Sequence, residues 1–109
     1  MCLMVYMTAA DREEAGRIAA VLVQEELAAC VNIWGQIDAV YRWQGEVQSA
    51  TEVAFVAKTT RACLEALIAR VRALHSYELP CIVALPLELG EAGFLAWIRE
   101  NSVRASLPK

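Results

Sequence analysis

Apolar and polar residues alternate along residues 28–58, AACVNIWGQIDAVYRWQGEVQSATEVAFVAK. Odd positions carry Val31, Ile33, Gly35, Ile37, Ala39, Tyr41 and Trp43, while Asn32, Trp34, Gln36, Asp38, Val40 and Arg42 between them are mostly polar. A period of two predicts an extended strand with one buried face. A second run continues at Val47, Val53, Phe55 and Ala57 after Gln44-Gly45. A two-residue turn would set Trp43 opposite Glu46 and Ile37 opposite Glu52, mixing apolar and charged groups on one face. Taking Glu46 into the loop pairs Trp43 with Val47 and Ile37 with Val53, so the pattern predicts a wider loop or a bulge at the tip. Both runs exceed the usual strand of roughly five or six residues. The hairpin is therefore expected to outrun its own domain and to reach another subunit.

The rest of the chain supplies elements that pack on this hairpin. Cys2 to Met7, CLMVYM, is a continuous apolar run suited to a strand buried on both faces. Asp11 with Glu14 three residues later reads as a capping box. Ala15, Ile18, Ala19, Leu22, Val23 and Leu27 then recur at helical spacing. Thr59 or Thr60 offers the next cap, before an apolar stripe of Leu64, Leu67, Ile68, Val71 and Leu74. His75 to Pro80 reads as a loop, because Pro80 drives Leu79 out of helical geometry. Cys81 to Leu85 is a fourth strand stopped by Pro86, and a third helix places Phe94, Trp97, Ile98 and Asn101 on one side. Ser102 to Lys109 reads as loop or a short edge element. The order β-α-β-β-α-β plus a helix predicts one α+β, ferredoxin-like domain over residues 1–109. Two helices cover one face of an antiparallel sheet, and sheet-to-sheet packing among subunits is expected to cover the other.

Composition sharpens this picture. Of 109 residues 58% are hydrophobic and 21% charged, an apolar surplus that points to a subunit interface. No apolar run is long enough to span a membrane. A net charge of −3 with scattered Lys and Arg excludes a nucleic-acid footprint. MCLMVYMTAADREE has neither the basic start nor the apolar core of a secretory signal, so a bacterial, cytoplasmic protein is expected. Cys2, Cys30, Cys63 and Cys81 form no C-x-x-C pair or zinc spacing and read as reduced small hydrophobes. No nucleophile is spaced with a base, so no enzyme is expected.

Five stretches, in order, resemble the CutA family of divalent-cation tolerance proteins. They are Leu27 to Ile33, Tyr41 to Val47, Glu52 to Thr59, His75 to Pro80, and Phe94 to Ile98. The resemblance implies a ferredoxin-like subunit in a homotrimer whose long hairpins make contacts between subunits. It also implies likeness to PII-type signalling proteins, which bind small ligands between subunits. Its implied function is tolerance of divalent cations, with weak binding of copper or another divalent metal.

In copper-binding members the proposed ligands are a Cys ending the first strand and a His pair before the Tyr. The matching positions are Met7 and Leu74-His75, so the candidate metal ligands are His75, Met7 and, as an added thiolate, Cys81. Met7 suits Cu(I) but is a poor ligand for harder ions. The plainer role of His75 is a hydrogen-bonding group at a helix C-terminus. A second candidate site is an inter-subunit pocket lined by Tyr41, Trp43, Glu52, Lys58, Tyr77 and Glu78. There Lys58 and Thr59 would hold a small anionic ligand at the second helix N-terminus. The plainer role of Glu52 and Lys58 is a salt bridge fixing subunit register. Trp34, Trp43 and Trp97 read as core or interface anchors. Three functions follow: a trimeric divalent-cation tolerance protein, a PII-like sensor of an anionic ligand, or a trimeric interaction module.

Overall fold

The computed structural model describes residues 1–104; the remainder of the tail from Ala105 to Lys109 lies outside the described residues. The element order is β1 (Cys2–Ala9), α1 (Arg12–Gln24), β2 (Cys30–Trp43), β3 (Glu46–Thr60), a single 3-10 turn (Arg61–Cys63), α2 (Leu64–Leu74), β4 (Ile82–Pro86) and α3 (Ala92–Asn101). The four strands form one sheet in the order β2-β3-β1-β4, every pairing antiparallel. The expected α+β order is therefore present, with β1 and β3 central.

Burial explains why the elements take these places. Val5, Met7 and Ala9 of β1 lie beside Ala57, Phe55 and Val53 of β3. They meet Ala15, Ile18 and Leu22 of α1 and Ala66, Leu67 and Val71 of α2 in one core. Asp11 caps α1 by accepting from Glu14 N–H at 2.8 Å, as the local motif predicts. Neither threonine caps α2. Thr60 precedes the 3-10 turn without a side-chain cap bond, and its Oγ1 donates instead to Ser102 O at 3.4 Å. Thr59 Oγ1 donates to Leu27 O at 2.7 Å. Pro86 does not stop β4 but ends it, opposite Leu3 on the sheet edge, where a missing N–H is tolerated.

The third helix differs from its predicted stripe. Ile98 is buried, in a small cluster with Cys2, Ala29 and the partly covered Leu95. Phe94 and Trp97 stack at 5.3 Å on the exposed side instead. Glu91 caps this helix by accepting from the N–H groups of Gly93 and Phe94.

The hairpin holds the largest correction. Its tip is the two-residue turn Gln44-Gly45, with φ of 51° and 83°, and Trp43 does pair with Glu46 and Ile37 with Glu52. No wider loop forms. The register is repaired near the base, by a bulge between Ile33 and Gly35. Below the bulge Ile33 opposes Phe55 on the helix-covered face; above it Gln36 opposes Val53 and Ile37 opposes Glu52. A one-residue bulge reverses the parity of everything beyond it. Val31 and Ile33 therefore join the core, whereas Ile37, Ala39, Tyr41 and Trp43 turn to the opposite face. The uninterrupted alternation of odd positions thus serves two faces rather than one.

Gly35 makes the bulge possible, at φ +118°. An added Cβ would meet only Arg12 Nη2 at 3.5 Å, so the cost of a side chain is conformational rather than steric. Gly35→Ala is expected to destabilise by about 1–3 kcal/mol, read as a lower urea midpoint with an unchanged slope. An unshifted midpoint would show that the bulge relocates without strain.

Beyond the bulge the hairpin becomes an arm. β1 pairs with β3 only from Val53 onward, so Ile37–Trp43 and Glu46–Glu52 bond only to each other within the sheet. The folded chain extends 43 Å along its long axis. Behind the arm's base, Trp34 stands 63% exposed beside the Tyr6 ring, on a face that also shows Val83 and Leu85.

Candidate functional site

The arm's outward-turned face and the segment after α2 enclose an open groove of about 640 Å³. Ala39, Tyr41, Trp43 and Glu52 form one wall, and Tyr77 through Val83 form the other. The first wall exists because of the bulge, which aims those odd positions here rather than at the helices. The second exists because α2 stops at His75, whose backbone is extended, and Pro80 keeps the following residues from resuming a helix.

A buried carboxylate ties that second wall to the sheet. Glu14, only 4% exposed on the first turn of α1, accepts from Ala10 N–H at 3.0 Å, Ser76 N–H at 2.7 Å and Ser76 Oγ at 3.0 Å. Burial alone would raise its pKa. The hydrogen bonds from Ala10 and Ser76, together with the nearby His75, outweigh burial and hold it below its ordinary value. His75 completes the latch. Its Nδ1 accepts from Tyr77 N–H at 3.1 Å, which assigns the proton to Nε2, and that N–H donates to Thr8 O at 2.8 Å. Glu14 and Ser76 were not singled out as site residues in the sequence. The capping-box signal marked Glu14, but no local pattern joins it to a residue 62 positions away.

Charge inside the groove is acidic. Tyr77 is pushed far up in pKa, first by burial and then by the nearby Glu52 carboxylate. Burial, and then Glu52, also raise the Cys81 thiol. Cys81 therefore stays protonated near neutral pH, an unreactive state for a thiolate ligand. All four cysteines are free.

The residues predicted to form a pocket are brought together with one exception. Tyr41, Trp43, Glu52, Tyr77 and Glu78 all line the groove, but Lys58 does not. Lys58 lies six residues from Glu52, donates to Asn32 Oδ1 at 2.6 Å and faces the Phe94 ring at 5.9 Å. It forms no ion pair with Glu52 within the chain. With Thr59 buried on Leu27 and α2 beginning only at Leu64, the expected anion site at the second helix is not assembled.

The three candidate metal ligands lie near one another along the chain's pairings but their side chains have different surroundings. Met7 is fully buried in the core beneath the helices, and Cys81 faces the groove on the other side of the sheet. Both ring nitrogens of His75 are engaged. Among the described residues no group of three His, Cys, Asp or Glu side chains gathers as a metal site. Because a transition metal needs converging lone pairs, these residues as placed do not fit a copper centre. The three tryptophans are not core either: Trp34, Trp43 and Trp97 all remain exposed within the chain.

Comparison with known proteins agrees with this scaffold. A family model described as CutA1 divalent ion tolerance protein matches residues 3–101. The chain belongs to the CutA divalent-cation tolerance family. Among CutA relatives, the divalent-cation tolerance protein of Thermus thermophilus is 47% identical over 98 residues, 90% of this chain and 95% of its own. The chloroplastic CutA of Arabidopsis thaliana is 43% identical over 94% of this chain. The chain spans just over half of the plant relatives, 56% of the Arabidopsis protein and 58% of the rice protein. The solved Thermus thermophilus CutA structure superposes with a TM-score of 0.92 at 46% identity, covering 94% of this chain and 99% of that one. The periplasmic CutA of Archaeoglobus fulgidus gives 0.90 at 43% identity, covering 94% and 99%.

Proposed function

We propose that this protein acts in divalent-cation tolerance as a non-enzymatic homotrimer that binds a small ligand in the groove beside the arm. The observation that carries the reading is the arm itself. A two-stranded ribbon is marginal alone in water, yet this one extends past the sheet with Ile37, Ala39, Tyr41 and Trp43 on one face. A neighbouring subunit laid along Trp34, Val83 and Leu85 and closing over that face would cover the surface the chain leaves open and make the groove a pocket between subunits. Three copies is the number the family resemblance implies. Tolerance then runs through ligand recognition rather than through Met7, His75 and Cys81 as a metal cage. This keeps the sensor reading but moves its site from Lys58 to the groove.

Native mass spectrometry of the purified chain tests both parts. The expected mass is that of three subunits, unchanged when Cu(I), Cu(II) or Zn(II) is added in slight excess. A monomer would remove the assembly. Stoichiometric metal uptake abolished by His75→Ala would restore the metal cage.

A further inference from the structure

We infer that the groove is completed by the neighbouring subunit, whose Lys58 pairs across the interface with Glu52. The inference rests on the proposed assembly and names the residue that a second copy supplies to the site. β3 turns Val53, Phe55 and Ala57 into the core, so Glu52, Ala54, Val56 and Lys58 fall on the opposite, open face of the sheet. Among the described residues the strands carry two cationic side chains, Arg42 and Lys58. Arg42 pairs with Val47 on the side of the arm away from the groove and donates to Gly45 O at 3.2 Å. Lys58 is thus the one strand cation on the open face.

The two charges stand at opposite ends of an apolar surface. Glu52 and Lys58 are roughly 20 Å apart along the strand, too far for a contact within the chain. Between them Ala54 and Val56 are buried, and Trp34, Val83 and Leu85 stand exposed on the same face. Glu52 and Lys58 are both half-buried, and among the described residues neither forms an ion pair. Lys58 donates to Asn32 Oδ1 at 2.6 Å, which leaves two of its three donors for another acceptor. A second copy laid on this surface strips water from both ends, where an unpaired charge is costly. Glu46 at the arm's tip and Glu78 in the loop are exposed, so water serves them and Glu52 is the carboxylate that needs a partner. Three copies around one axis join two different patches at every contact. Opposing unlike charge then sets the Lys58 end of one face on the Glu52 end of the next. The partner subunit's Lys58 thereby enters the groove rim and neutralises one of its two carboxylates, Glu52 and Glu78.

Native mass spectrometry of the full chain at matched concentration tests the pair with Lys58→Glu, Glu52→Lys and the double exchange. Wild type is expected at the mass of three subunits. Each single reversal sets like charges together and should weaken assembly about tenfold or more. It should be read as a loss of trimer mass to a folded monomer with a dispersed amide spectrum. The double exchange restores unlike charge and should restore the trimer. Trimers that survive both single reversals, or a double exchange that stays dissociated, would overturn the inference and leave the wild-type trimer standing. A monomeric wild type would instead remove the proposed assembly, and this pair with it. If a reversal unfolds the subunit, the neutral changes Glu52→Gln and Lys58→Met take its place. Paired residues should then give coupled losses, with the double variant dissociating no more readily than either single one. Additive losses would overturn the pair.

Discussion

A chain lacking residues 38–41 and 48–51 should fold and remain monomeric. Those segments are partners in register, Asp38 with Thr51 through Tyr41 with Gln48. Removing four residues from each strand preserves parity, so Ile37 and Glu52 stay opposed and the Gln44-Gly45 turn closes a shorter arm. The core of β1, β3, α1 and α2 lies wholly below the cut, and thermal unfolding should remain cooperative. Lost instead are most of the ribbon and the Ala39 and Tyr41 surface proposed to meet a neighbour. Because subunit contacts and folding stability are linked by mass action, native mass should fall to one subunit and the midpoint should drop with it. A shortened chain that keeps the mass of three subunits would place the interface on the exposed sheet face alone. Trp43→Ala is the milder form of the same experiment. Trp43 is 37% exposed within the chain, so its cost should appear as dissociation before unfolding.

Glu14→Ala should destabilise by about 1–3 kcal/mol, since it leaves the part-buried donors on Ala10 and Ser76 without their acceptor. Urea unfolding at neutral pH reads the total, and amide exchange at Ser76 and Tyr77 reads its location. The groove wall should open at a far lower free energy than the core strands. A cost below about 1 kcal/mol would mean that water replaces the carboxylate without loss.

The same residue sets a pH dependence. A carboxyl whose folded pKa lies below its unfolded value contributes stability in full above the unfolded value and loses it as pH falls through the folded one. Starting from an ordinary value of 4.5, the Glu14 contribution should be complete above about pH 5 and fade on further acidification. Glu25, held down chiefly by the Arg70 fork, and Glu91, held down by the Gly93 and Phe94 N–H groups, titrate in the same direction. Glu14→Gln should therefore flatten only part of the acid limb, and an acid limb identical to wild type would contradict the latch.

Much of the fold was legible because its signals are local. Asp11 caps α1 with its own third neighbour, the stripes of α1 and α2 repeat every turn, and Gly45 follows Gln44 where a tight turn needs left-handed backbone. The pocket was legible only in part: Tyr41 and Trp43 share a parity, and Tyr77 and Glu78 lie in the loop before Pro80, but Glu52 joins their face only because the turn has two residues. Lys58 was misplaced because parity gives the face of a strand but not the distance along it. Met7 was misplaced as a ligand because a strand of continuous apolar residues gives no signal of which face the helices cover.

By itself the sequence determined the order of elements, the long hairpin, and the presence of more apolar surface than one chain can bury. Each of these depends on residues within a few positions of one another, where backbone geometry and solvent decide the outcome. Only the tertiary structure decided that the bulge falls at Trp34 and not at the tip, and hence that one alternating pattern serves the core below and the groove above. It alone brought Glu14 to Ser76, turned Met7 into the core and engaged both ring nitrogens of His75. Those outcomes depend on how β1 fixes the register of β3, how β3 fixes β2, and where α1 then comes to rest. Such choices are made by packing between segments far apart in the chain.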